Sequence, residues 1–135
     1  MHVNPYLPFN DQCEAAFKFY AQCFGANIDV MMTNGDTPPE VSSQISAERH
    51  HLIMHASMRI GDTVLMGTDM PLDQYKAPQG ISVVLNTETP AEIARVFKAL
   101  SEGGSVRMPL QKTFFAQSFG VVTDRFNIPW MVICE

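Results

Sequence analysis

The chain is poor in features that would place it in several common classes. It has three cysteines, Cys13, Cys23 and Cys134, an odd count with no close pair and no CxxC motif. That count argues for a reducing compartment rather than a disulfide framework. Basic charge is scarce: nine Lys and Arg stand against fourteen Asp and Glu, for a net charge of −5. Phosphate contacts need a basic patch, so neither nucleic acid nor an anionic membrane surface is expected as a partner. No apolar run approaches membrane-spanning length. Met1 to Tyr6 has neither the charged nor the apolar region of a signal peptide. There is no GxSxG, and no glycine-rich phosphate loop, because Gly103-Gly104 closes a helix rather than opening one. The expected location is the cytoplasm.

What is present is globular. Of the 135 residues, 46% are apolar and 17% charged, which suits one domain with a core. Val3 to Phe9 is a short strand broken by Pro5 and Pro8. Asp11 and Glu14 have capping-box spacing before a helix. Its buried stripe is Ala16, Phe17, Tyr20, Cys23 and Phe24, and Gly25 ends it. Ala26 to Thr33 is a strand. Asn34 to Arg49, with Asn34-Gly35 and Pro38-Pro39, is a long surface loop, either a mobile lid or a disordered excursion. His51 to Ile60 alternates, with Leu52, Met54, Ala56, Met58 and Ile60 on one face and His51, Ile53, His55, Ser57 and Arg59 on the other. Gly61-Asp62 turns it into a returning strand, Thr63 to Thr68.

The second half repeats the order. Gly80 to Asn86 is a strand. Thr89-Pro90-Ala91-Glu92 opens a helix with stripe Ile93, Val96, Phe97 and Leu100. Ser105 to Gln111 is a strand, and Thr113 to Ile133 is a closing hairpin turned at Asp124-Arg125-Phe126-Asn127. Asn127 is placed to take a positive φ. The whole reads as βαβββ over 1–70, a connector over 71–79, and βαβββ over 80–135 within a single domain. The fold class is α+β.

Several stretches carry a resemblance. Asn4-Pro5-Tyr6-Leu7-Pro8-Phe9-Asn10, Cys13-Glu14-Ala15-Ala16-Phe17, His55 to Gly61, Leu65-Met66-Gly67-Thr68-Asp69 and above all the closing hairpin are similar to the PhnB-like branch of the vicinal-oxygen-chelate (glyoxalase/bleomycin-resistance) superfamily. The resemblance implies paired βαβββ modules forming a half-open barrel, a ligand pocket on its concave face, and a homodimer. It also implies four strand positions for metal ligands, falling near Asn4, Met66, Ile81 and Met131. None of these is His, Asp, Glu or Cys, so no metal cofactor is expected at the inherited place. The branch often carries a methyltransferase label, but no glycine-rich nucleotide loop follows a strand here.

Candidate site residues follow from residue type and face. His55, Ser57 and Arg59 form a polar strip suited to an oxygen-rich or anionic ligand, or else a solvated or interface face. On one strand His51 and His55 would stand about 13 Å apart at roughly 3.3 Å per residue, too far for one ion. Tyr6, Met66, Gln117, Trp130 and Met131 complete a candidate small-molecule site, with core packing as the alternative for many of these and their aromatic neighbours. Cys13, in a helix's first turn, is a candidate nucleophile with no histidine near it in sequence. The expected function is metal-free binding of a small organic molecule. The alternatives are a lyase, isomerase or dioxygenase with a metal site rebuilt from His55 and carboxylates, and an interaction protein without a pocket.

Overall fold

A computed structural model describes residues 1–71 and 73–135. The chain divides into two compact units, Met1–Lys76 and Ala77–Glu135. The division falls inside the expected connector, which also contains Leu72, outside the described residues.

The first unit runs β1 (Tyr6–Phe9), α1 (Cys13–Phe24), β2 (Ile28–Thr33), α2 (Pro39–Ser42), β3 (Ile53–Ile60) and β4 (Thr63–Asp69). The second runs β5 (Val83–Thr87), α3 (Pro90–Ser101), β6 (Ser105–Gln111), β7 (Ser118–Thr123) and β8 (Pro129–Cys134). Sheet orders are β1-β4-β3-β2 and β5-β8-β7-β6, so the repeat foreseen from element order is exact in topology. In each open sheet the first strand pairs in parallel with the last, and the other pairings are antiparallel. The fold is α+β, two βαβββ modules.

A helix covers one face of each sheet, because its apolar stripe and the inward strand residues leave water together. In the first unit, Phe17 and Tyr20 of α1 pack with Phe9 of β1, ring centroids 6.1 to 6.5 Å apart. All three are fully buried, worth about 2–3 kcal/mol each. Gly67 of β4 makes room for this packing: a Cβ there would lie 2.6 Å from the Phe17 ring and 2.9 Å from Phe9. Gly120 of β7 plays the same part under Phe97 of α3, at 2.6 Å.

Local signals set most helix ends. Gly25 closes α1 at φ 62, and Thr89 accepts the Glu92 N–H at 3.1 Å to open α3. The start of α1 differs from expectation. Asp11 is not its cap, having φ 63 and pairing with Arg49 at 2.9 Å. The Asp69 carboxylate, at the far end of β4, accepts the Cys13 N–H at 2.9 Å. The expected loop over 34–49 instead holds two 3₁₀ turns, Asn34–Asp36 and Ala47–Arg49, around α2. Its ties are polar: Asn34 Nδ2 donates to the Arg49 carbonyl at 2.8 Å, and His50 Nε2 meets the Ser42 and Ile45 carbonyls at 3.0 and 2.9 Å. No side chain from Gly35 to His51 is buried.

Candidate functional site

Strand register sorts the sequence-predicted residues. Tyr6 pairs with Met66, and Met66 with Ser57, across three neighbouring strands. Gly67 faces α1, so Met66 and its partners face away from it. His55, Ser57 and Arg59 alternate onto that same open face. Five candidates, Tyr6, His55, Ser57, Arg59 and Met66, are thus gathered on one surface. The Tyr6 ring stacks on His55 at 6.3 Å and 25°. Ser57 is buried and Arg59 exposed. His51 precedes β3 and is not on the strand.

The other three candidates belong to the second unit. Met131 lines a cavity of about 640 Å³ there, with Ile81, Arg107 and Val121. Gln117 is exposed, its Nε2 donating to the Glu135 carbonyl at 2.9 Å. Trp130 is corrected from ligand contact to core. It pairs with Val122 on the α3 side of the sheet, is 1% exposed, and its Nε1–H donates to Asp124 Oδ2 at 2.9 Å. Period two placed Trp130 and Met131 on opposite faces, and the indole took the dry one.

A second cavity, of about 590 Å³, lies within the first unit. Its walls include Tyr6 of β1, Ile45 and Arg49 of the 34–49 segment, and Thr68, Asp69 and Met70 at the end of β4. Sequence reasoning found only Tyr6 among these. The Asp69 carboxylate accepts the Cys13 N–H through Oδ1 and the Ile53 N–H, at 2.8 Å, through Oδ2. It therefore ties α1 and β3 to β4. Burial raises its pKa, and the two backbone donors and Arg49 only partly oppose that. Thr68 Oγ1 donates to the Met54 carbonyl at 2.8 Å. Arg49 holds Asp11 and donates to the Met70 carbonyl at 3.2 Å. The only sequence hint was a lone acidic residue ending an apolar strand, and Arg49 had none.

Two kinds of chemistry do not fit. Cys13 is fully buried, and desolvation, with Asp69 and then Glu14 adding to it, pushes its thiol far above the ordinary range. That outweighs the helix N-terminus, so Cys13 is not an activated nucleophile. The places implied for metal ligands also fail on donor chemistry. Asn4 Oδ1 already accepts the Val64 N–H at 3.1 Å, Ile81 is apolar, and Met66 and Met131 are thioethers. Among the described residues, no three His, Cys, Asp or Glu side chains cluster to hold an ion. Nor, among them, is any helix long and apolar enough to cross a membrane.

Comparison with known proteins agrees with this geometry. The 3-demethylubiquinone-9 3-methyltransferase family matches residues 1–133. The chain is 34% identical to protein YjdN of Escherichia coli over 140 residues, covering 98% of this chain and 94% of YjdN. It is 43% identical to the crystal structure of PA1353 from Pseudomonas aeruginosa, with TM-score 0.90 and 100% and 98% of the two chains covered. A PhnB protein from Bacillus cereus is 22% identical, with TM-score 0.82 and full coverage of both chains, a likeness of fold alone. Fold likeness extends further to a fosfomycin resistance protein from Mesorhizobium loti and a possible glyoxalase from Bacillus cereus, at TM-scores of 0.64 and 0.60. The chain belongs to the 3-demethylubiquinone-9 3-methyltransferase family.

Proposed function

We propose that this protein binds a small, largely apolar organic molecule, without a metal ion, in the cavity of its first unit, and works in the cytoplasm as a homodimer. The observation that carries the reading is the cavity itself. Its volume of about 590 Å³ falls in the usual range for small-molecule sites, and apolar Tyr6, Ile45, Met54 and Met70 surround a few fixed polar groups. The donor set at the inherited metal positions supports a metal-free site. Methyl transfer, named in the family's description, finds no support in the β1–α1 connection. Asn10, Asp11 and Gln12 contain no glycine, so that connection is not a glycine-rich nucleotide loop. Buried thiols at Cys13, Cys23 and Cys134 agree with a reducing compartment. Exposed Val30 and Met32 on β2, and Val84, Val106 and Met108 in the second unit, suit a dimer.

The test is a thermal-shift screen of small organic molecules on tag-free protein. A bound ligand at a hundredfold excess over its Kd adds about 2.7 kcal/mol and raises Tm by several degrees. Filling the cavity with Ile45→Trp removes that rise, and divalent ions produce none. A stoichiometric ion that survives dialysis and raises Tm would sink the proposal. Sedimentation as a monomer at micromolar concentration would remove the dimer from it.

A further inference from the structure

Among the residues walling the first unit's cavity, Arg49 is the one Lys or Arg. Its side chain is only 16% exposed, and it is clamped rather than free. Nη1 and Nη2 donate to Asp11 at 3.4 and 2.9 Å, and Nη2 donates also to the Met70 carbonyl at 3.2 Å. A guanidinium has more N–H groups than these bonds use. Asp11 and Asp69 stand near, and Glu48 lines a cleft that Arg49 shares. Asp11 is 46% exposed and lines the smaller adjoining cleft of about 310 Å³ rather than this cavity. Asp69 also faces the cavity, with backbone N–H groups on both its oxygens.

A cation held at the wall of a mostly apolar cavity discriminates among ligands by charge. A fixed guanidinium loses little freedom when it binds an oxyanion, and the bond is strong where water is scarce.

We propose that Arg49 is the specificity-determining residue of this cavity, which selects molecules with an apolar body and one anionic oxygen group, a carboxylate or sulfonate. This rests on the binding reading above and adds the chemical class of ligand. Asp11 orients Arg49 from outside and lowers its pull on the anion.

Two fluorescent probes of one shape class separate the claims: 1-anilinonaphthalene-8-sulfonate, and N-phenyl-1-naphthylamine, which lacks the sulfonate. Folded wild type, checked by circular dichroism, should bind the sulfonate about tenfold more tightly, the effect of one charge-assisted hydrogen bond. Ile45→Trp should weaken both. Arg49→Gln should bring the ratio toward one. Asp11→Asn should raise it severalfold, which keeps the idea testable if Arg49→Gln does not fold. Equal affinities in wild type, or an unchanged ratio in Arg49→Gln and Asp11→Asn, would overturn the role of Arg49 and leave the binding reading standing. Binding of neither probe, or binding untouched by Ile45→Trp, would count against the cavity as a site and take both proposals down.

Discussion

Trp130 offers the sharpest test of how the second unit is held together. Its indole N–H donates to Asp124 Oδ2, while Asp124 Oδ1 accepts the Phe126 and Ile128 N–H groups at 2.8 and 3.0 Å. The carboxylate thus closes the β7–β8 turn and fastens the core indole to it. Asp124 is 2% and Trp130 1% exposed, so water cannot replace what a substitution removes. Asp124→Ala leaves three buried donors without this acceptor. At about 1–3 kcal/mol per orphaned group, and allowing for partial relaxation, the loss should be about 4 kcal/mol. That is a large part of a domain's usual stability of about 5–15 kcal/mol. Trp130→Phe keeps most of the ring but removes the donor and some volume, costing about 2 kcal/mol. In a double-mutant cycle, Asp124→Asn and Trp130→Phe should couple by about 1 kcal/mol, since both break one bond. Urea unfolding followed by far-ultraviolet circular dichroism measures wild type, the three single variants and the double variant. A cost below about 1 kcal/mol for Asp124→Ala, or no coupling in the cycle, would refute this account of the turn. Loss of ligand binding in Trp130→Phe without loss of stability would return Trp130 to the pocket.

Three further outcomes are expected. Gly67→Ala puts a methyl 2.6 Å from Phe17 and should cost about 2 kcal/mol in urea stability, whereas Gly61→Ala, at φ 59 with open space around it, pays only for backbone strain of about 1 kcal/mol. Equal costs would remove the close-packing explanation. Burial raises the Asp69 pKa in the folded chain, so the fold holds that proton more tightly than the unfolded chain does. Its contribution is greatest at low pH and declines as pH rises from the ordinary 3.8 through the raised value. The stability gap between wild type and Asp69→Asn should therefore narrow from pH 4 toward neutrality, and a widening gap would reverse the sign of the argument. Native protein should resist a thiol-specific disulfide reagent at pH 8, because Cys13, Cys23 and Cys134 are all buried, and should react fully in urea; rapid native modification of one thiol would contradict the burial.

The readings that held rest on short-range physics. Gly25, Thr89 and Asn127 act through their own backbone angles or hydrogen bonds within a turn. Alternation along β3 put His55, Ser57 and Arg59 on one face because strand side chains alternate whatever lies beyond. The misreading at the start of α1 involves partners distant in sequence. Asp11 looked like a helix cap, but its partner Arg49 lies 38 residues on. The true cap, Asp69, lies 56 residues from Cys13. Trp130 looked like a pocket aromatic until Asp124 and the α3 side of the sheet claimed it.

Composition, turn chemistry and period were enough to determine two βαβββ modules and the helix stripes. These follow from each residue's conformational preference and from its letter alone. Which face of a strand is covered, which carboxylate caps which helix and where a cavity remains were decided by tertiary packing. Such features are contacts between segments, and their free energy exists only once the chain has closed the distance between them.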